Sequence, residues 1–259
     1  MTKNPFTDPN AIIDYGLLSR DVDLSKPSIP LPPRPPAPSA LTNSGGRILT
    51  LDDIAAENGA TKTQNDWIPY WNAITDGRRF ATAADMYTVL KQMKSDTERG
   101  IEPQKQHATI LLASLRKDWE QSWQVMGTRI IYEKTGSNAK ILHDYGRPGV
   151  APSRVSLEVP EWLGVPILEV LSDRRGLPYL QAFFGTTDSA ETIVATLEYA
   201  GGKPKSEIKI WTPPLKHDTY AMRKDFPEWA AGFDLGSDGF RVDGDGRVGD
   251  DGGRSRGVR

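Results

Sequence analysis

The C-terminal end of the chain holds the residues best suited to binding chemistry. Residues 233–259 contain eight glycines, six aspartates and five arginines. Carboxylates at this density can coordinate calcium, and glycine-rich turns can bind phosphate. The same composition is also typical of a disordered, solvated tail. The spacing of these residues decides among the three interpretations.

A calcium loop of the EF type needs acidic ligands at positions 1, 3 and 5 and Glu or Asp at position 12. With Asp243 and Asp245 at positions 3 and 5, Arg241 falls at position 1 and Gly252 at position 12. Both outer ligands are missing and no helix follows. The spacing therefore does not favour calcium, and the sequence indicates no metal and no cofactor.

Three glycines of this segment, Gly244, Gly246 and Gly249, spell the dinucleotide-binding pattern GxGxxG. That pattern works only between a strand and a following helix, inside a βαβ unit. Only ten residues follow Gly249, and they are mostly Gly, Asp and Arg. The match is therefore accidental.

Apolar residues interrupt the segment at intervals that favour a folded surface over a tail. Residues 240–242 alternate Phe, Arg and Val as a half-buried strand does, and residues 256–259 resemble a closing strand. We therefore predict a folded segment, anchored by its apolar residues Phe233, Phe240, Val242, Val248 and Val258.

Two amphipathic helices are predicted upstream of this segment. A capping signal at Thr82 and Asp85 predicts a helix over 83–96. A longer helix is predicted over about 103–126, where residues of a buried stripe recur every three or four positions: Ala108, Leu112, Leu115, Trp119 and Trp123.

Strand patterns begin at residue 129. Segments 129–132 and 140–143 flank a turn and predict a hairpin. Alternation over 154–159 predicts another strand, whose inward side chains are Val155, Leu157 and Val159.

One more helix and one more strand follow. Asp188 and Glu191 suggest a capping box that opens a helix over 188–202, and residues 206–211 predict a strand. Because helices come first and strands dominate later, the order favours an α+β fold with an antiparallel sheet and flanking helices.

The N-terminal residues differ from the rest in composition. Residues 27–38 contain seven prolines, which favour an extended conformation and exclude a helix. We therefore predict an arm over 1–46, a helical region over 47–127 and an α+β domain over 128–259. The arm is interpreted as a linker or as a contact in a homo-oligomer or assembly. The alternative is a proline-rich ligand for an aromatic groove.

Composition excludes several classes of protein. The chain of 259 residues has 37% apolar residues, enough for a core, and no cysteine for a disulfide, a thiolate metal site or a thiol nucleophile. A net charge of −2 argues against nucleic-acid binding. We expect no membrane span and no signal peptide, because no apolar run is long enough. The location of the protein stays open.

No set of residues converges as a catalytic site would require. The chain has three histidines, His107, His143 and His217, and none lies in a zinc, serine-hydrolase or phosphate-loop motif. His143 and Asp144 are adjacent, and side chains of adjacent strand residues point to opposite faces. We therefore predict a protein that is not an enzyme, although a hydrolase that uses only carboxylates stays open.

The C-terminal part of the chain resembles a known family of proteins. The run from WTPP at 211–214 through RKDFPEWAAGFDLGSDGF to Gly257-Val258-Arg259 is similar to the C-terminus of variable proteins of diversity-generating retroelements. These proteins have C-type-lectin-like domains related to formylglycine-generating enzymes. In this family a reverse transcriptase recopies the 3′ end of the gene with errors at adenines. Such rewriting leaves an excess of Asp, Gly and Ser.

The resemblance implies a fold and a function. It implies a C-type-lectin-like domain that binds a protein or cell-surface ligand and is displayed on a phage tail or a cell surface. The cysteines and calcium ligands of ordinary lectins are missing, so sugar binding is not implied. The residues of the variable, ligand-binding face would be Asp234, Ser237, Asp238, Arg241, Asp243, Asp245, Arg247, Asp250, Asp251, Arg254 and Ser255.

The side chains of this face indicate its binding strength. No Tyr or Trp follows Trp229, and aromatic anchors supply much of the affinity of binding surfaces. The face is therefore expected to bind weakly, or to favour a basic or hydroxyl-rich target. The competing hypothesis is a virion or other assembly protein whose Gly/Asp-rich end is only a flexible tail.

Overall fold

The computed structural model describes residues 49–216, 222–249 and 252–259. The predicted proline-rich arm, residues 1–46, lies outside this part of the chain. The described residues form an α+β fold in which a curled, mixed sheet is flanked by helices.

Six α-helices occur in the described residues: α1 Gln64–Asn72, α2 Ala83–Arg99, α3 Glu102–Gln121, α4 Ile167–Ser172, α5 Gly176–Phe183 and α6 Ala190–Gly201. The described residues also form two short 3-10 segments, Ala56–Gly59 before α1 and Lys205–Glu207 after α6.

The capping signal of α2 is confirmed. The Thr82 hydroxyl accepts from the backbone N–H of Asp85, and the Asp85 carboxylate accepts from that of Thr82. The predicted capping box of α6 is wrong, because Ser189 is its N-cap. Asp188 instead accepts hydrogen bonds from Tyr87 and Lys91 of α2.

Helix α3 is shorter than predicted. It ends at Gln121, because Ser122 adopts an extended conformation and a strand begins at Gln124. The stripe from Ala108 to Trp119 is buried as expected. Trp123 lies outside the helix, and its indole N–H donates to the carbonyl of Gly252.

Nine strands occur in the described residues: β1 Arg79–Phe80, β2 Gln124–Tyr132, β3 Asn138–His143, β4 Ser153–Glu158, β5 Leu163–Pro166, β6 Ile208–Trp211, β7 Glu228–Gly236, β8 Gly239–Arg247 and β9 Gly257–Val258. Seven of them form one sheet in the order β4-β3-β2-β7-β8-β6-β5. The expected sheet was antiparallel. The observed sheet is mixed, because β6 and β8 run parallel.

The β2–β3 hairpin is confirmed, with Ile130 opposite Ile141. Strand β4 is also present, and Val159 after it is buried. Val155 of β4 lies opposite Ile141 on the side of the core, yet it remains 39% exposed because β4 is an edge strand of the sheet.

One core joins the regions that the sequence analysis separated. The expected boundary between residues 127 and 128 falls inside β2. Leu90 of α2 and Leu115 of α3 share their hydrophobic cluster with Ile130, Phe233 and Val242 of the sheet. Residues on both sides of the expected boundary therefore belong to one folding unit.

The last residues of the chain close the fold. Strand β9 pairs with β1, as predicted for a closing strand, and Val258 also bridges to Leu51. Two buried tryptophans of α1 donate hydrogen bonds to residues that precede β9. Trp67 donates its indole N–H to the carbonyl of Gly253 at 2.7 Å, and Trp71 donates to the hydroxyl of Ser255 at 3.0 Å.

Arg256 is the charged residue at the centre of this closure, and it is only 1% exposed. Its guanidinium forms an ion pair with Asp118 of α3 and donates to Ser114 Oγ at 2.9 Å and to the carbonyl oxygen of Asp52 at 2.7 Å. A buried guanidinium without its carboxylate is strongly destabilising.

We expect Asp118→Asn to lower the free energy of unfolding by about 3 kcal/mol, because it leaves Arg256 buried without a counter-charge. Glu120→Gln is the matched control. Glu120 lies on the same helix but is exposed, so its loss should change stability by less than about 0.5 kcal/mol. Urea unfolding of both variants measures the difference. Equal stability of the two variants would contradict the importance of the buried pair.

Candidate ligand-binding face

The β7–β8 hairpin separates its side chains into two sets. Phe233, Phe240 and Val242 are buried in the core, whereas Asp234 and Arg241 lie opposite each other on the other side of the sheet. The hairpin thus presents apolar anchors inward and charged groups outward, in a segment that was predicted to be folded.

Strand β6 extends the outward side. Its Lys209 lies beside Arg241, and its Trp211 lies beside Asp243. Ile208 and Ile210 of the same strand are buried in the core. We call this surface the polar face, and it consists of Lys209, Trp211, Asp234, Asp238, Arg241 and Asp243.

Ion pairs connect most of the polar face. Arg241 donates to Asp238 at 2.7 Å and lies 3.4 Å from an Asp234 oxygen. Lys209 binds the other oxygen of Asp238 at 3.0 Å. The Arg241 guanidinium lies 5.5 Å from the centre of the Trp211 ring, within the range of a cation–π interaction.

Asp243 is placed less favourably than Asp238. Burial raises the pKa of Asp243 well above its ordinary value, and the carboxylates of Asp245 and Asp234 raise it further, while Arg241 opposes them. Hydrogen bonds from Arg241 and Lys209 instead lower the pKa of Asp238 to about 2. The pKa values of Asp243 and Asp238, two carboxylates of the same face, are therefore shifted in opposite directions.

Trp123 borders the polar face. Its ring covers Gly232 and Gly246, where an added Cβ would come within 2.3 and 2.5 Å of the ring. Gly232 lies opposite Asp243 in the β7–β8 register. Only glycine leaves room for the tryptophan here, so the glycines of this segment have a packing role.

The eleven predicted ligand-binding residues fall into several groups. Asp234, Asp238, Arg241 and Asp243 come together on the polar face, and Ser237 is exposed in the β7–β8 turn. Asp250 and Asp251 lie outside the described residues.

Asp245 and Arg247 lie farther along β8. The Asp245 carboxylate is near enough to Asp243 to raise its pKa. Arg247 is opposite Trp229, and its guanidinium lies 5.0 Å from the Phe226 ring.

Two predicted ligand contacts have partners within the fold. Ser255 is fully buried, because its hydroxyl accepts the indole N–H of Trp71. Arg254 is held by Asp118 at 2.6 Å and by Gln121 at 2.9 Å. Both residues fix the end of the chain to the helices; Ser255 has no exposed surface, whereas 19% of the Arg254 side chain stays exposed.

Lys209 and Trp211 were not predicted as site residues. The strand that carries them was predicted, and the alternation of Ile208 and Ile210 with these two residues is the signal that could have placed them outward. The missing information was the pairing of β6 with β8, which brings together residues about 30 positions apart in sequence.

Two other chemical candidates, the glycine pattern and His143, have structural positions, while His217 lies outside the described residues. Gly244 and Gly246 lie within β8 and not between a strand and a helix. Thr128 Oγ1 lies 2.9 Å from Nδ1 of His143, and the carbonyl oxygen of Ala182 lies 3.0 Å from Nε2. Burial lowers the pKa of this histidine. Within the described residues no group of three or more His, Asp or Glu is arranged to hold a metal ion.

A separate cleft of about 330 Å³ lies away from the polar face, lined by α1, β1 and the loop after β3. Its three arginines are already paired: Arg78 with Asp52 and Asp76, Arg79 with Asp85, and Arg147 with Asp144. The cleft therefore offers a ligand little uncompensated charge.

A helix able to cross a bilayer, which needs about 20 mostly apolar residues, does not occur in the described part of the chain. Comparisons with protein-family models, with curated proteins and with solved structures gave no match for this chain.

The environment of Asp243 predicts a stability effect. The pKa of Asp243 is raised in the folded state. The protonated carboxyl group therefore stabilises the fold fully below the pKa of the unfolded chain, about 3.9. This stabilisation is lost as the pH rises through the pKa of the folded state. We expect Asp243→Asn to be more stable than the wild type at pH 7, with the difference shrinking toward pH 4. Thermal melts between pH 4 and 8 measure it.

Asp238→Asn is the matched control with the opposite sign. The pKa of Asp238 is lowered to about 2, so its contribution is present at neutral pH and is lost as pH falls from about 4 toward 2. This variant should be less stable than the wild type at pH 7. Two variants that shift the melting temperature in the same direction would contradict the described environments.

Proposed function

We propose that the chain is a non-enzymatic binding protein that contacts a protein or cell-surface ligand through the polar face. We propose further that its domain is C-type-lectin-like and that a retroelement diversifies the 3′ end of its gene. The second part rests on the resemblance of the C-terminal run to variable proteins of that family. The observation that carries the proposal is the separation of core and surface residues along β7 and β8.

That separation suits a surface whose residues change. Phe233, Phe240 and Val242 hold the strands in the core, so the outward residues between them can be exchanged without disturbing the packing. Binding surfaces are commonly irregular residues held on a rigid scaffold in this way. The closure at Arg256 adds rigidity from the other end of the segment.

The hypothesis of a flexible tail disagrees with the described residues. Residues 228–247 form two strands near the middle of the sheet, and residues 257–258 pair with β1. An assembly role that depends on a solubilising tail therefore has no support from this part of the chain.

The polar face favours a basic ligand. Three of its residues, Asp234, Asp238 and Asp243, are acidic, and Asp243 forms no ion pair within the described residues. A cationic group beside Asp243 would relieve the repulsion among the carboxylates. Trp211 adds a half-buried tryptophan ring, whereas the aromatic residues of the C-terminal segment itself, Phe233 and Phe240, are buried in the core.

The retroelement part of the proposal has a direct test in the DNA beside the gene. We expect a near-copy of the codons for residues 232–259 that differs almost only at adenines, with a reverse-transcriptase gene nearby. Sequencing of the locus decides it. A locus without such a copy would contradict diversification by a retroelement and would leave only the proposal of a binding face.

The scaffold part has a test in stability. Ser237→Tyr and Arg241→Tyr change the outward surface and should each alter the free energy of unfolding by less than about 1 kcal/mol. Phe240→Ala empties a fully buried site and should lower it by about 3–5 kcal/mol. Chemical denaturation of the three variants gives the comparison. Losses of several kcal/mol for the tyrosine variants would mean that the face cannot vary.

A further inference from the structure

Strand β4 is an open edge of the seven-stranded sheet. It is the first strand in the sheet order, and β3 is its one neighbour there. Arg154, Val155 and Ser156 are exposed along it. An uncovered edge presents unpaired backbone donors and acceptors that can bind another strand.

The pairing with β3 fixes which backbone groups are open. The N–H of Val159 donates to the carbonyl of Ser137, and in an antiparallel pair the hydrogen-bonded positions alternate. Residues 153, 155 and 157 therefore direct their backbone groups to β3. Residues 154, 156 and 158 direct theirs away from the sheet.

This edge has fewer of the features that prevent strand addition than the opposite edge has, although Pro152 precedes it and Arg154 and Glu158 are charged. No proline lies within β4, and its register with β3 is unbroken over six residue pairs. The opposite edge differs, because β5 has four residues, a glycine with φ of +65° at Gly164 and a proline at its end. Short strands and prolines block edges, whereas a regular strand of six residues leaves one available.

The sequence of β4 is complementary to itself. In an antiparallel pair of two copies centred on Ser156, Arg154 lies opposite Glu158 of the partner, and Val155 lies opposite the partner's Leu157. Opposite charges and apolar side chains would thus meet directly across the pair. The same register joins residues 154, 156 and 158, whose backbone groups are the open ones.

The guanidinium of Arg154 can form an ion pair with Glu158 of a second copy. It forms no ion pair within the described residues, whereas Glu158 lies 2.8 Å from Arg175. Glu158 also lies 3.8 Å from Arg174, and its side chain keeps a fractional exposure of 40%, so a further guanidinium can approach it.

We propose that β4 is a dimerisation strand, which joins two copies of this chain antiparallel about a twofold axis at Ser156 into one continuous sheet. The strand that pairs with β4 is β4 of a second copy, because in that register the charged and the apolar residues of the two copies match each other. Closed twofold dimers are the commonest form of homo-oligomer.

Cysteine cross-linking of the full chain tests the register. The chain has no cysteine, so each variant carries a single thiol. Ser156→Cys should form a disulfide-linked dimer under mild oxidation, because Cα atoms of an antiparallel hydrogen-bonded pair lie about 5.5 Å apart. Arg154→Cys is the matched control, since its two thiols would sit four residues apart along the strands, about 14 Å. Equal cross-linking of both variants would overturn the proposed register.

Sedimentation equilibrium over a concentration series tests the dimer itself. Ser156→Pro removes an outward N–H and should raise the dimer dissociation constant by about tenfold or more, while Ser156→Ala should leave it within about threefold. Circular dichroism verifies that both variants are folded. A wild-type chain that stays monomeric at every concentration, or two variants with equal dissociation constants, would overturn the proposal.

Discussion

The buried ion pair between Arg256 and Asp118 is the constraint on which the remaining structure depends. It joins the end of the chain to α3, while Trp67 and Trp71 bind the neighbouring residues to α1. A buried charge in this position depends on its carboxylate partner. The Gly-, Asp- and Arg-rich segment is therefore tied at its far end to helices that lie more than 130 residues earlier.

This closure explains how a polar segment can be both ordered and exposed. The strands β7 and β8 are held by core aromatics on one side, so the packing of the core does not depend on their outward residues. Asp243 illustrates the difference, because burial and like charges disfavour its ionised form. A residue that opposes stability on a rigid surface is typical of a functional position rather than a structural one.

Signals between residues close in sequence predict individual helices and strands. The positions of the other residues depend on contacts between distant parts of the chain, which the sequence pattern does not predict. The capping box at Thr82 and Asp85 lies within four residues, so α2 could be predicted well. Trp123 continues the helical spacing of α3, yet its ring is bound by glycines of the distant C-terminal segment. The burial of Ser255 and the arrival of Trp211 beside Asp243 depend on partners that no local pattern indicates.

The order of strands also connects the polar face with the open edge. The polar face lies on β6, β7 and β8, and β4 is separated from β7 by β3 and β2. A dimer joined at β4 would therefore leave both polar faces uncovered. Their β8 strands would be nine strand spacings apart, at most roughly 43 Å at about 4.8 Å each. By the proposed function, two such faces at a fixed distance would bind a repetitive surface far more tightly than one, because the second contact becomes intramolecular. That arrangement would add affinity to a face on which Trp211 is the one aromatic ring beside five charged residues.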